Sequence, residues 1–190
     1  MVGRGGEVVT TMKWLGSAVL MGLTLAAPAA AQDRTIADYD REVGIKYAIL
    51  HEAGEDGFDG YTAAFGLLFE GGVKVCTLGS WSCQAVVEYA FHNFGDADVT
   101  YNQLGGGIRF YRLFTPRIRG FGQFVLAWQN DGFEESNNAV VYQPGGGINI
   151  GLTRMIDAQV QIDIPFADYE GGVFNQFRMG FGIGIPLGGQ

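Results

Sequence analysis

The chain has 190 residues, 47% hydrophobic and 13% aromatic but only 17% charged, with 31 glycines, 5 prolines and 2 cysteines. That many large apolar side chains with so little charge excludes a disordered chain, and the length fits one domain with a removable leader. Twenty acidic against 12 basic residues, net −8, excludes a protein that grips the phosphate backbone of nucleic acid.

Met12-Lys13-Trp14 opens an uncharged run, 15–27, that ends in Pro28-Ala29-Ala30-Ala31 before Gln32. A basic residue, an apolar stretch and small residues at the −3 and −1 positions are the order of a Sec-type signal peptide, with cleavage expected after Ala31. The run of 13 uncharged residues is too short for a spanning helix, which needs roughly 20. Residues 1–11 are Gly-rich and charged, so translation is expected to start at Met12. The expected organisation is a signal peptide over 1–31, a short periplasmic segment over 32–41 and one domain over 42–190. The exported part carries 10 basic and 19 acidic side chains.

No helical periodicity follows the leader, whereas alternation with period two recurs. In chain order it predicts strands over 42–50, 61–75, 83–93, 99–112, 117–129, 139–152, 155–166 and 173–187. The seventh is the clearest: Ile156, Ala158, Val160, Ile162, Ile164 and Phe166 share one face, and Asp157, Gln159, Gln161 and Asp163 the other. The last places Phe177, Met179, Phe181, Ile183, Ile185 and Leu187 opposite Gln176, Arg178, Gly180, Gly182 and Gly184. Such strands exceed the usual five or six residues of a soluble sheet and match the nine to eleven that a bilayer requires.

Alternation does not say which face points outward, because lipocalin-type and membrane barrels differ only in that polarity. Volume decides it. The lumen of an eight-stranded barrel is just wide enough to be filled by side chains, and more than thirty apolar side chains do not fit there. The opposite faces carry glycines, which suit a cramped interior. The expected fold is all-β, an eight-stranded antiparallel up-and-down transmembrane β-barrel behind a cleaved signal peptide.

The inward faces then hold Lys46, Glu70, Glu88, Arg109, Arg119, Asp157, Asp163 and Arg178, four cations and four carboxylates. Burying them singly is costly, so a paired, hydrogen-bonded plug is expected to close the lumen. Four connections, 51–60, 94–98, 130–138 and 167–172, hold eleven acidic residues and no Lys or Arg; the other three are basic or neutral. With the N-terminus in the periplasm, the acidic set lies outside the cell. Within it, Glu52, Glu55, Asp56, Asp59, Asp131, Glu134 and Glu135 are candidate contacts for external cations or partners. Carboxylates there could hold Ca²⁺ or Mg²⁺ against lipopolysaccharide, but no calcium-loop spacing is present. Cys76 and Cys83 flank the first periplasmic turn and are read as a disulfide clip in an oxidising compartment. With only His51 and His92 as further soft ligands, no metal site and no cofactor are expected.

Gly145-Gly146-Gly147-Ile148-Asn149-Ile150-Gly151 and the closing Phe177-Arg178-Met179-Gly180-Phe181-Gly182-Ile183-Gly184, together with the leader and the eight strands, resemble the small outer-membrane β-barrel family that includes the OmpA transmembrane domain and OmpX. The resemblance covers about 41–187 and is one of pattern. It implies a Gram-negative outer membrane, monomeric barrels in contact with membrane lipid and lipopolysaccharide, and insertion by periplasmic chaperones and the barrel-assembly machinery. Members usually end in an aromatic residue, whereas this chain ends Pro186-Leu187-Gly188-Gly189-Gln190. Some barrels of this size are lipid-modifying enzymes, which would need a nucleophile, base and acid near the external rim. His51 with Glu52, His92, and Ser136 with Glu135 form no convincing triad, the two histidines being read as strand-end residues that need no special role. The expected function is non-enzymatic: envelope integrity or surface interaction through the acidic loops. The alternatives are a lipocalin-like periplasmic or secreted carrier of an apolar ligand and a narrow conduit for small apolar solutes.

Overall fold

The computed structural model describes residues 40–52, 63–94, 99–131, 138–153, 155–169 and 172–188. The expected signal peptide, Arg154, Ser136 and most of the four acidic connections lie outside these residues. Among the described residues nine strand segments run antiparallel in chain order: β1 (Arg41–Glu52), β2 (Ala63–Leu78), β3 (Trp81–Phe94), β4 (Val99–Thr115), β5 (Ile118–Asp131), β6 (Asn138–Gly151), β7 (Asp157–Asp163), β8 (Phe166–Tyr169) and β9 (Gly172–Leu187).

β7 and β8 occupy one position in the sheet. Both pair with β6 on one side and β9 on the other, and the register carries across the gap without a shift. Pro165 has no N–H to give to the ladder, which interrupts the strand there. The ladder still continues around it, because Ile164 N donates to Pro144 O at 2.9 Å and Gln176 N to Pro165 O at 2.8 Å. β1 also pairs with β9, Arg41 opposite Leu187, so the eight positions close into a barrel.

The registers fix its shape. Glu42 stands opposite Gly72, which leads through Val86, Gly107, Val125 and Gln143 to the Pro165 gap, on to Gln176, and back to β1 at Glu52, ten residues further along. A shift of that size over eight strands tilts them by about 40°. Because the shift is even, the lumen face meets itself at closure.

Alternation then sorts the side chains as volume required. Val160, Ile162, Phe181, Ile183, Leu126 and Trp128 are exposed on the outside, while Lys46, Arg109, Gln143, Asp157 and Arg178 are buried inside. Aromatic rings border the outer band. On β3, Trp81 and Phe91 are ten residues apart, which at about 3.3 Å per residue and ~40° tilt spans roughly 25 Å, the height of a lipid-facing band. Beyond the far ring, polar side chains pair across the strand ends, Asn130 Nδ2 to Asn138 Oδ1 at 2.9 Å among them.

At the opposite end the connections are tight. β2 and β3 run further than their alternation indicated and meet in a two-residue turn, Gly79-Ser80, where Gly79 takes the left-handed φ of 61° that hairpin turns favour. In the next turn Thr115 Oγ1 accepts from Arg117 N at 3.3 Å and from Ile118 N at 3.1 Å.

Candidate functional site

The lumen gathers the charged side chains. Glu70, inward on β2, meets two cations: Lys46 Nζ from β1 at 2.6 Å and Arg109 from β4, whose Nη1 and Nη2 bond its two oxygens at 3.2 and 2.5 Å. Glu88 on β3 takes Arg178 Nη2 at 2.8 Å and lies 3.6 Å from Arg109 Nη2. Arg178 also bridges to Asp163, through Nε at 3.0 Å and Nη2 at 2.8 Å. Lys46, Glu70, Glu88, Arg109, Asp163 and Arg178 therefore form one continuous chain of charges across the barrel.

Amides fill the remaining bonding capacity. Gln123 donates to Glu88 at 2.9 Å and Asp163 at 3.1 Å while accepting from Arg109 Nε at 2.8 Å. Gln161 accepts from Lys46 Nζ at 2.6 Å and donates to Asp163 at 2.8 Å. Gln143 donates to Glu88 at 2.9 Å and accepts from Gln103 at 2.8 Å. A carboxamide can donate and accept at once, so it links ion pairs without adding charge. Glycine makes room for the long side chains: a Cβ at Gly145 would lie 1.9 Å from Asp163 Oδ1, and one at Gly180 3.3 Å from Lys46 Cδ.

A second layer lies nearer the tight turns. Glu42 accepts from Arg119, from Gln159 and from Asn149 Nδ2, the last at 3.0 Å. The Arg119 guanidinium stacks 4.2 Å above the Tyr111 ring, and Tyr111 in turn donates to Gln84. Asp157 is fully buried on the same inward face. Glu42 is a fifth carboxylate, overlooked because it stood first in its predicted strand, although its even spacing from Lys46 placed it on the same face.

Apolar side chains fill other parts of the lumen, mostly toward the end away from the tight turns. Ala48, Leu68 and Ala90 form one buried cluster, Leu50, Ala64 and Tyr101 another, and Val86, Val125, Ala127, Ala139, Val141 and Ala167 a third. Away from the tight turns the charge network thus gives way to apolar side chains, with the buried amides of Gln103, Gln129 and Gln176 beside them. His92 lies among them, 1% exposed on the inward face of β3, and its Nε2 has no hydrogen-bond partner among the described residues. It is a buried lumen residue, so a strand-end position does not by itself account for it. His51 sits on the outward face of β1, so the two histidines point to opposite sides of the wall.

Cys76 and Cys83 are disulfide-bonded, with Cα atoms 4.9 Å apart. A register shift between Lys74 and Cys76 brings them together. Had the register run on unshifted from Lys74 opposite Gln84, Val75 would face Cys83 and Cys76 would face Ser82. Of the acidic contact candidates, Glu55, Asp56, Asp59, Glu134 and Glu135 lie outside the described residues. Glu52 and Asp131 are described only as the backbone ends of β1 and β5. No group of three His, Cys, Asp or Glu able to hold a metal occurs among the described residues.

No protein-family model matches the chain, and no curated protein matches it by sequence. Solved structures do match the fold. Neisserial surface protein A superposes with a TM-score of 0.65 at 10% identity, covering 78% of this chain and 97% of its own. The N-terminal β-barrel domain of Pseudomonas aeruginosa OprF gives 0.53 at 16% identity, covering 79% and 100%. Yersinia pestis Ail, the attachment invasion locus protein, in complex with the heparin analogue sucrose octasulfate, gives 0.51 at 10% identity, covering 76% and 97%. The chain has the fold of the small eight-stranded outer-membrane β-barrels.

Proposed function

We propose that this protein is a monomeric, non-enzymatic barrel of the Gram-negative outer membrane, with a lumen sealed by its own side chains and a working surface in the acidic connections at the external end. One observation carries the reading: the radial polarity. Bonded charges fill the inside and an apolar band bordered by aromatic rings covers the outside, an arrangement that lipid stabilises and water does not. A soluble carrier of apolar ligands needs the reverse polarity.

The sealed lumen leaves the external connections as the place for interaction. Two of the similar structures are named for the cell surface or for attachment and invasion. A polyanion such as the heparin analogue bound by Ail does not carry over to this chain, because eleven acidic residues without a Lys or Arg repel it. A cationic partner, or a divalent cation bridging to lipopolysaccharide phosphates, fits that composition.

Fractionation of expressing cells, with electrophoresis before and after boiling, tests the location. An outer-membrane band that shifts only on boiling is expected, and a soluble periplasmic band without a shift would overturn the reading. Planar-bilayer recording tests the seal, with no steady conductance expected. A sustained open level would move the function to conduction.

A further inference from the structure

The tight-turn end carries basic side chains at the lower border of the apolar band. Arg112 points outward from β4 opposite Trp81 of β3, with its guanidinium 5.8 Å from the indole ring. On its other side the ladder partner is Gly120. The Phe114 ring folds over that glycine so closely that a Cβ there would lie 2.3 Å from it. Arg112 therefore stands between two exposed aromatic side chains. Arg117 follows in the β4–β5 turn, and neither arginine pairs with a carboxylate among the described residues. The Thr115 hydroxyl of that turn already accepts from the Arg117 and Ile118 amides.

We infer that Arg112, held between Trp81 and Phe114, together with Arg117 of the adjoining turn, seats the headgroup of an anionic phospholipid of the phosphatidylglycerol type from the inner leaflet. This deepens the membrane-barrel reading and rests on it. A guanidinium at the edge of a low-dielectric band is stabilised by a counterion, and a phosphodiester offers it paired oxygens. The acyl chains continue onto the apolar band directly above. Two uncompensated cations disfavour a zwitterionic headgroup, whose ammonium they repel. Lipopolysaccharide occupies the other leaflet, at the acidic end of the barrel, so the phospholipid is the source of the phosphate.

The test uses the full mature chain refolded into nanodiscs of equal parts phosphatidylglycerol and phosphatidylcholine, with retained lipids counted by native mass spectrometry as lipid is stripped by detergent. Wild type is expected to retain phosphatidylglycerol preferentially. R112Q and R117Q should each lower that preference by about fivefold, while R41Q, an exposed arginine at the same end on β1, leaves it intact. An unchanged preference in the double variant, or an equal loss in R41Q, would overturn the site. The boiling shift of each variant reports the barrel separately: loss of the shift in wild type sinks the membrane reading itself, whereas a normal shift with unaltered lipid preference sinks only this inference.

Discussion

Glu70 is the residue on which the lumen turns most directly, since it neutralises both Lys46 and Arg109 at 2.5–2.6 Å. E70Q keeps the shape and removes the charge, leaving two buried cations short of a counterion, so a loss of about 3–5 kcal/mol is expected. Urea unfolding in lipid vesicles, followed by the boiling-sensitive gel shift, measures it. Two glycines make a sharper pair. A Cβ at Gly182 would lie 2.0 Å from the Ile45 carbonyl oxygen, whereas one at Gly71 meets nothing within 4 Å. G182A is expected to weaken the β1–β9 seam by about 1–3 kcal/mol. G71A, on the outward face, is expected to be neutral or slightly stabilising. Equal behaviour of the two in the same unfolding assay would refute the close approach at the seam.

Among elements, the β2–β3 hairpin is the only one clipped covalently among the described residues. The bond between Cys76 and Cys83 closes a short loop, so C76S/C83S is expected to lower stability by about 2 kcal/mol, and wild type in reductant should match the double variant. The two cysteines were legible in the sequence as a pair, but the bulge at Val75 that aligns them was not. Strict alternation puts them on opposite faces, and only the ladder shows the shift. Strand positions were legible for a related reason. Ile156 to Phe166 keeps one parity through the Pro165 gap, so periodicity found one strand where hydrogen bonding breaks it into two. Turns were less legible, because Leu78 and Trp81 continue the ladder in residues that alternation had assigned to a loop.

For the whole molecule, polarity and volume were enough to place the apolar face outward. F181R, near the middle of that face, is expected to cost about 2–4 kcal/mol in a bilayer, read from the denaturant midpoint of folding into vesicles. The site was only partly legible. Charge singled out Lys46, Arg109, Arg178 and their acids, because a charge on an inward face demands a partner. The glutamines that join them carry no charge to mark them, and Glu42 stood at a predicted boundary. The apolar part of the lumen, from Ala48 to Ala167, was hidden because alanine reads as neither face.

The seam between β1 and β9 has a further consequence. Arg41 and Leu187 are ladder partners, so the start of the first strand and the end of the last are neighbours in space. A short peptide could join them, and the chain could then be reopened at another connection with every strand pairing kept. Such a circular permutant has the same wall and the same lumen but a different order of synthesis. If it assembles as efficiently as the natural order, the barrel is specified by its ladder of partners and not by which strand emerges first.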